Sequence, residues 1–143
     1  MSKKASDVMR DWFRRVWVER DDAAIEELLA PDAQVFGLGP DPVVGPAAFR
    51  AFRDAMFATF STVEFEVADT IDQGDQAYVR CRATMTYQGN KLPFEGGVQA
   101  CVQGGRVVRA WNYWDFVSLM AAMGSMPGDA FARACAGDAF VAS

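Results

Sequence analysis

Few side chains in this chain of 143 residues could carry out chemistry, and none of them is a histidine. That removes the histidine general base, and with it Ser-His-Asp and Cys-His nucleophile systems and any Cys-His zinc site. The three cysteines, Cys81, Cys101 and Cys135, are odd in number and far apart. They suit free thiols in a reducing compartment better than a disulfide framework. No metal site and no cofactor is expected. The densest chemical signal is Ala110-Trp111-Asn112-Tyr113-Trp114-Asp115-Phe116, which closes an alternating run from Arg106. Read as a strand, it presents Val108, Ala110, Asn112, Trp114 and Phe116 on one face. Val107, Arg109, Trp111, Tyr113 and Asp115 occupy the other.

The first face is apolar except for Asn112, so it should point inward. A buried amide costs about 1–3 kcal/mol unless hydrogen-bonded. Asn112 therefore either bonds a fixed internal partner or meets water and ligand in a cavity. It can orient a carbonyl or hydroxyl but cannot act as a base at neutral pH. Tyr87 ends the inward face of another strand, as a donor or weak acid at a pocket mouth or as a rim aromatic in water. Asn112 and Tyr87 are the two candidate catalytic residues. Trp114, Phe116, Trp12, Trp17, Phe52, Met56 and Cys81 are the candidate ligand contacts, the tryptophans, phenylalanines and methionine as core residues that line a pocket. Cys81 reads as a small packed hydrophobe, since no base is evident beside it. Asp115 suits the N-cap of a following helix.

These residues need elements to position them. Val8, Met9, Trp12, Phe13, Val16 and Trp17 form one face of an opening helix, with Ser6 as its N-cap. Asp21-Asp22 start a second helix that Pro31-Asp32 ends. Ala33 to Leu38 reads as a strand and Gly39 to Pro42 as a loop. Gly45-Pro46 opens a third helix with Phe49, Phe52, Met56, Phe57 and Phe60 on its apolar side. From Thr62 the period falls from 3.6 to 2, through strands with turns at Asp72–Asp75, Gln88–Lys91 and Gly104-Gly105. Val79, Cys81, Ala83, Met85 and Tyr87 form one inward face, and Phe94, Val98, Ala100 and Val102 another. A short helix from Val117 to about Met123 follows. Residues 1–124 are expected to form the domain, with a helical tail at 125–143 belonging to it. Met120, Met123 and Met126 suit either a lid or simple helix packing.

The net charge is -5, with 51% hydrophobic and 23% charged residues. This composition is that of one globular domain and disfavours nucleic acid as a partner. The polar N-terminus does not read as a signal peptide, and no run of roughly 18 apolar residues suggests a membrane span. The expected location is the cytoplasm.

The order of elements and residues resembles the nuclear transport factor 2-like superfamily and, within it, the SnoaL-like group. The features are the amphipathic opening helix and Leu28-Leu29-Ala30-Pro31-Asp32-Ala33 before a strand. Two more are Val44-Gly45-Pro46-Ala47-Ala48-Phe49 before a helix, and Gly105-Arg106-Val107-Val108 leading into Tyr113-Trp114-Asp115-Phe116. The resemblance covers residues 5 to 124. It implies an α+β, cone-shaped barrel, with three N-terminal helices packed on a curved, mainly antiparallel sheet around an apolar pocket. It also implies polyketide cyclase-, isomerase- or hydrolase-type activities. Yet the residues of those chemistries fall on Phe13 and Gly37, on Cys81 and Ala83, and on Asn112. The acid/base groups of the relatives are thus missing.

The expected ligand is a hydrophobic or aromatic small molecule, with or without turnover. Exposed Trp111 and Tyr113 suggest a homodimer through the outer sheet face, as is common in the superfamily. An interaction module acting through that face is the third reading.

Overall fold

The computed structural model describes residues 3–141. Its first helix, α1 (Ala5–Trp12), runs directly into a π-helical segment (Phe13–Val18). The spacing accounts for this. Val8, Trp12 and Val16 recur every four residues, as do Met9, Phe13 and Trp17. At 100° per residue an α-helix would rotate such a stripe by roughly 40° per repeat. Widening to i→i+5 hydrogen bonding holds the stripe to one side. All six residues are buried.

Ser6 is not the N-cap. Lys4 occupies that position and makes no side-chain cap. Ser6 lies buried in the first turn, where its N–H and its hydroxyl both donate to the Asp72 carboxylate, at 2.9 and 2.6 Å. A distant carboxylate is the stronger acceptor and suits the positive end of the helix dipole.

Helix α2 (Asp22–Leu28) is capped by Asp21, whose side chain accepts from the Ala23 N–H. It passes without a loop into strand β1 (Leu29–Phe36). Pro31 and Asp32 therefore lie inside a strand and do not end the helix. Pro31, which lacks an N–H, falls where pairing to the last strand is irregular, between Leu29 and Gln34. Between the loop read at Gly39 to Pro42 and the helix that opens at Gly45, a two-residue strand, β2 (Val43–Val44), pairs with Gln34 and Val35. Helix α3 (Gly45–Thr59) begins with Pro46 in its first turn. Gly45 has φ +82°, and a Cβ there would lie 2.7 Å from the Pro31 carbonyl oxygen.

Four long strands follow: β3 (Thr62–Gln73), β4 (Gln76–Tyr87), β5 (Asn90–Gln103) and β6 (Arg106–Trp114). The sheet order is β2-β1-β6-β5-β4-β3, with β1 parallel to β6 and every other pair antiparallel. The architecture is α+β with a curved sheet, as expected, but the sheet stays open between β2 and β3 and does not close as a barrel.

One irregularity sets the face of β6. Cys101 pairs with Arg109 and Val102 with Val107, so Val108 is bulged out of the ladder. Val107 and Ala110 both point inward, whereas Val108 joins Arg109 and Trp111 on the outer surface. The inward set expected to start at Val108 therefore starts at Val107; from Ala110 onward the alternation is as read.

Beyond the sheet come α4 (Phe116–Ala122) and α5 (Ala130–Cys135). Asp115 caps α4, accepting from the Ser118 N–H at 3.0 Å and its hydroxyl at 2.6 Å. These bonds hold its carboxyl below the usual carboxylate range, the Ser118 hydroxyl most of all. In the tail Ala130 is buried but Phe131 is 78% exposed.

Candidate functional site

The helices cover the concave face of the sheet, and an apolar cavity of about 60 Å³ remains between them. The π-helical turn, with α1, sets Trp12 and Trp17 in its wall. Helix α3 adds Phe52 and Met56, β6 adds Asn112 and Trp114, and Phe116 stands at the start of α4. These are the inward residues of the 3.6- and 2-residue periods, so the same patterning that builds the core builds the wall. The rings interlock. Trp12 meets Phe49 edge-on at 4.8 Å, and Trp17 lies 6.2 Å from Phe52. Trp114 stacks on Phe94 at 4.7 Å. Gly96 makes that stack possible, because a Cβ there would lie 2.7 Å from the Trp114 ring.

Among the described residues Asn112 is the one polar side chain, apart from the indoles, in the wall. Its Nδ2 donates to the Phe36 carbonyl at 3.0 Å, and its Oδ1 accepts from Trp114 Nε1 at 3.0 Å. The amide thus ties β6 to β1 and fixes the Trp114 indole. Of the two alternatives read from the sequence, Asn112 has the fixed internal partners. Gly37, beside it, has φ +88°, and a Cβ there would lie 2.2 Å from the Asn112 carbonyl oxygen. No carboxylate-bearing residue fits that position without moving the strands.

The other two candidates lie elsewhere. Tyr87, the last residue of β4, packs its ring 6.0 Å from Phe60, and its hydroxyl accepts from Gln88 Nε2 at 3.2 Å. It packs against the cluster of Phe60, Leu92 and Leu119, which adjoins the wall through Val63, Met85 and Phe94, but Tyr87 itself does not line the cavity. Cys81 has the expected inward orientation but lies at the level where α1 crosses β4, fully buried and apart from the cavity wall. Burial pushes its thiol up to about 12, so it stays protonated and unreactive at neutral pH. Position along a strand, unlike face, leaves no mark in a period of two. Leu38, Val63, Phe65 and Phe94 also line the wall and were not among the expected contacts, although all four are apolar.

Among the described residues no ionisable side chain lines this cavity. Among the described residues no group of three or more acidic or cysteine side chains could hold a metal. No helix among them is long and apolar enough to cross a membrane. What the wall can do chemically is exclude water and shape an apolar volume.

The outer face of the sheet carries Arg80 paired with Asp69, and Arg82 paired with Glu95 at 3.6 Å. Arg109 has no ion-pair partner among the described residues. Trp111 stacks on Phe36 at 6.1 Å, so it is partly covered within the same chain, whereas Tyr113 is 60% exposed. A groove of about 650 Å³ bordered by Asp32, Gln34, Gln76, Cys101, Arg109 and Trp111 crosses this face.

Comparison with known proteins places this geometry. The family model described as SnoaL-like domain matches residues 9–110. Among solved structures, wild-type IdmH from Streptomyces antibioticus, a candidate polyketide cyclase, superposes with a TM-score of 0.74 at 21% identity. The match covers 85% of this chain and 99% of that one. A candidate SnoaL-like polyketide cyclase from Jannaschia sp. CCS1 gives a TM-score of 0.75 at 19% identity, over 86% and 93% of the two chains. A Catenulispora acidiphila protein with a ketosteroid isomerase-like fold, in complex with trimethylamine, gives 0.74 at 15% identity, over 86% and 95%. At these identities the likeness establishes the nuclear transport factor 2-like fold. No curated protein matches the chain by sequence.

Proposed function

Because the chain belongs to the SnoaL-like domain family, we propose that it binds one uncharged, hydrophobic or aromatic small molecule inside the cone, and does so without acid/base chemistry by its own side chains. The observation that carries this reading is the composition of the wall: apolar throughout, with its single amide committed to Phe36 and Trp114. An ionic ligand would lose its hydration there with no compensating charge. Polyketide cyclase, isomerase or hydrolase activity of the kind found among relatives would have to rest on positioning alone. Asn112 would then act through Trp114, and Tyr87 and Cys81, both outside the wall, would take no part.

Size sharpens the reading. An apolar cavity of roughly 150 Å³ admits benzene, and about 60 Å³ is free here. A ring can enter only if side chains at the opening give way. Phe116, 36% exposed at the head of a short helix, is best placed to move.

The outer face supports a second element of the proposal, a homodimer through Tyr113 and Trp111. A tyrosine left 60% exposed on a sheet is the kind of residue that interfaces enrich. Three unpaired cysteines agree with a cytoplasmic location. The tail from Ser125 is taken as part of the same domain.

Native mass spectrometry of the purified protein, before and after denaturation, tests the binding reading. A small uncharged molecule held by the native protein and released on unfolding is the expected result. A bare protein that also fails to take up acetophenone or ethylbenzene would overturn it.

A further inference from the structure

The helices around the cavity are not fastened alike. Helix α1 is tied to β3 by Ser6, whose N–H and hydroxyl donate to Asp72. Just past the π-helical segment, Arg20 donates to the Ser61 carbonyl at 2.6 Å and sets its guanidinium 3.7 Å over the Phe57 ring. Helix α3 is tied to α2 by Arg53, which pairs with Asp22, and by Arg50, which donates to the Asp22 carbonyl at 3.2 Å. Helix α4 has no such tie. Among the described residues, every hydrogen bond and ion pair from Asp115 onward stays within that segment, with one exception. The exception is the Asp115 N–H, which donates to the Glu95 carbonyl at 2.9 Å.

What seats α4 is chiefly one side chain. Leu119, 5% exposed, packs among Phe60, Val63, Met85, Leu92 and Phe94, with the half-buried Met123 beside it. Val63, Met85 and Phe94 also line the cavity, so the leucine seat and the cavity share a wall. Phe116, three residues before Leu119 and on the same side of the helix, completes the wall with its ring 5.6 Å from Phe94. Raising α4 therefore withdraws Phe116 from the wall and Leu119 from its seat together. Burial of one leucine favours the seated helix by a factor of about ten to a hundred, so the raised state has a population of roughly one to ten per cent. We infer that α4 is a lid: it pivots at Asp115, is latched by Leu119, and must lift before a ring-sized molecule can reach the cavity. The inference rests on the cavity being a binding site and adds how that site opens.

Binding kinetics and hydrogen exchange test it. The probe is iodobenzene, a single ring whose heavy atom quenches the wall tryptophans Trp12, Trp17 and Trp114. A lid gates entry and exit alike. Leu119→Ala should therefore raise the association and dissociation rate constants together, by about tenfold or more, and leave Kd within about threefold. Asp115→Ala removes the cap of α4 without touching the wall, and should raise both rates by about fivefold. In the wild type, the Leu119 and Met123 N–H groups bond only to Asp115 and Leu119 within the lid. After correction for intrinsic rates they should exchange at least about a hundredfold faster than those of Val79 and Cys81 in β4. An association rate unchanged in both variants, or a Leu119→Ala effect on dissociation alone, overturns the lid and leaves the binding cavity standing. Leu119 and Met123 amides that exchange as slowly as those of β4 overturn it too, even where a variant fails to fold. If iodobenzene does not bind the wild type, the cavity reading falls and the inference with it.

Discussion

Trp114 Nε1 donates to Asn112 Oδ1 at 3.0 Å, while the same amide donates from Nδ2 to the Phe36 carbonyl. One side chain therefore joins two parallel strands and fixes an indole in the cavity wall. Asn112 is a brace for the site, with one N–H and one lone pair of its amide committed to Phe36 and Trp114.

Asn112→Ala should cost about 2 kcal/mol, since it leaves a part-buried N–H and a carbonyl without partners. For a chain of this size that lowers the melting temperature by roughly 5 °C. Thermal unfolding checks the loss. The Trp114 fluorescence should also change, because its indole is released.

Gly37→Ala should destabilise the fold by at least about 2 kcal/mol. Gly37 combines φ +88° with a Cβ position 2.2 Å from the Asn112 carbonyl oxygen. Denaturant titration measures the effect. A near-neutral outcome would mean that β1 and β6 separate easily at this point.

Asp72 predicts a pH dependence. Its carboxyl is held below the usual carboxylate range, chiefly by the Ser6 hydroxyl. A group with a depressed folded pKa contributes stability above its unfolded value, near 3.9. That contribution is lost as pH falls through the folded value. Asp72→Asn should cost about 1 kcal/mol at neutral pH, as helix-cap losses do. It should also flatten the decline of stability with acid below about pH 4. Melting curves of both proteins between neutral and acid pH test this.

Much of this was legible in the sequence because faces follow from period. Val79, Cys81, Ala83 and Met85 are buried as their alternation requires. Trp12 and Trp17 reach the wall as their helical spacing requires. What escaped depends on distant partners. The bulge at Val108 is set by how β5 pairs across Cys101 and Val102. The true partner of Ser6 lies 66 residues away. Cys81 and Tyr87 have the expected face but lie along β4 away from the cavity, a coordinate that depends on where α1 crosses and where the strand ends.

Tyr113→Glu should abolish self-association if the outer face is a dimer interface. In a monomer, a tyrosine 60% exposed would tolerate the change with little loss of stability. Sedimentation analysis of wild type and variant decides: a shift from dimer to monomer is expected, and a wild type that stays monomeric at high concentration removes the interface.

The opening of the cavity makes its own prediction. Phe116→Ala should speed the entry of ring-sized probes while lowering stability by less than about 1 kcal/mol, since that side chain is one-third exposed. Stopped-flow tryptophan quenching reads the rate.

The central claim is that the cavity between helices and sheet binds an uncharged molecule against an unionised wall. The most direct measurement is methyl NMR of ¹³C-methionine-labelled protein titrated with ethylbenzene at pH 5 and pH 9. Met9, Met56 and Met85 line the cavity, whereas Met120, Met123 and Met126 do not. The account predicts saturable shifts at the first three methyls, with the same affinity at both pH values. Shifts confined to Met120, Met123 and Met126, or an affinity that follows a titration between the two pH values, would contradict it.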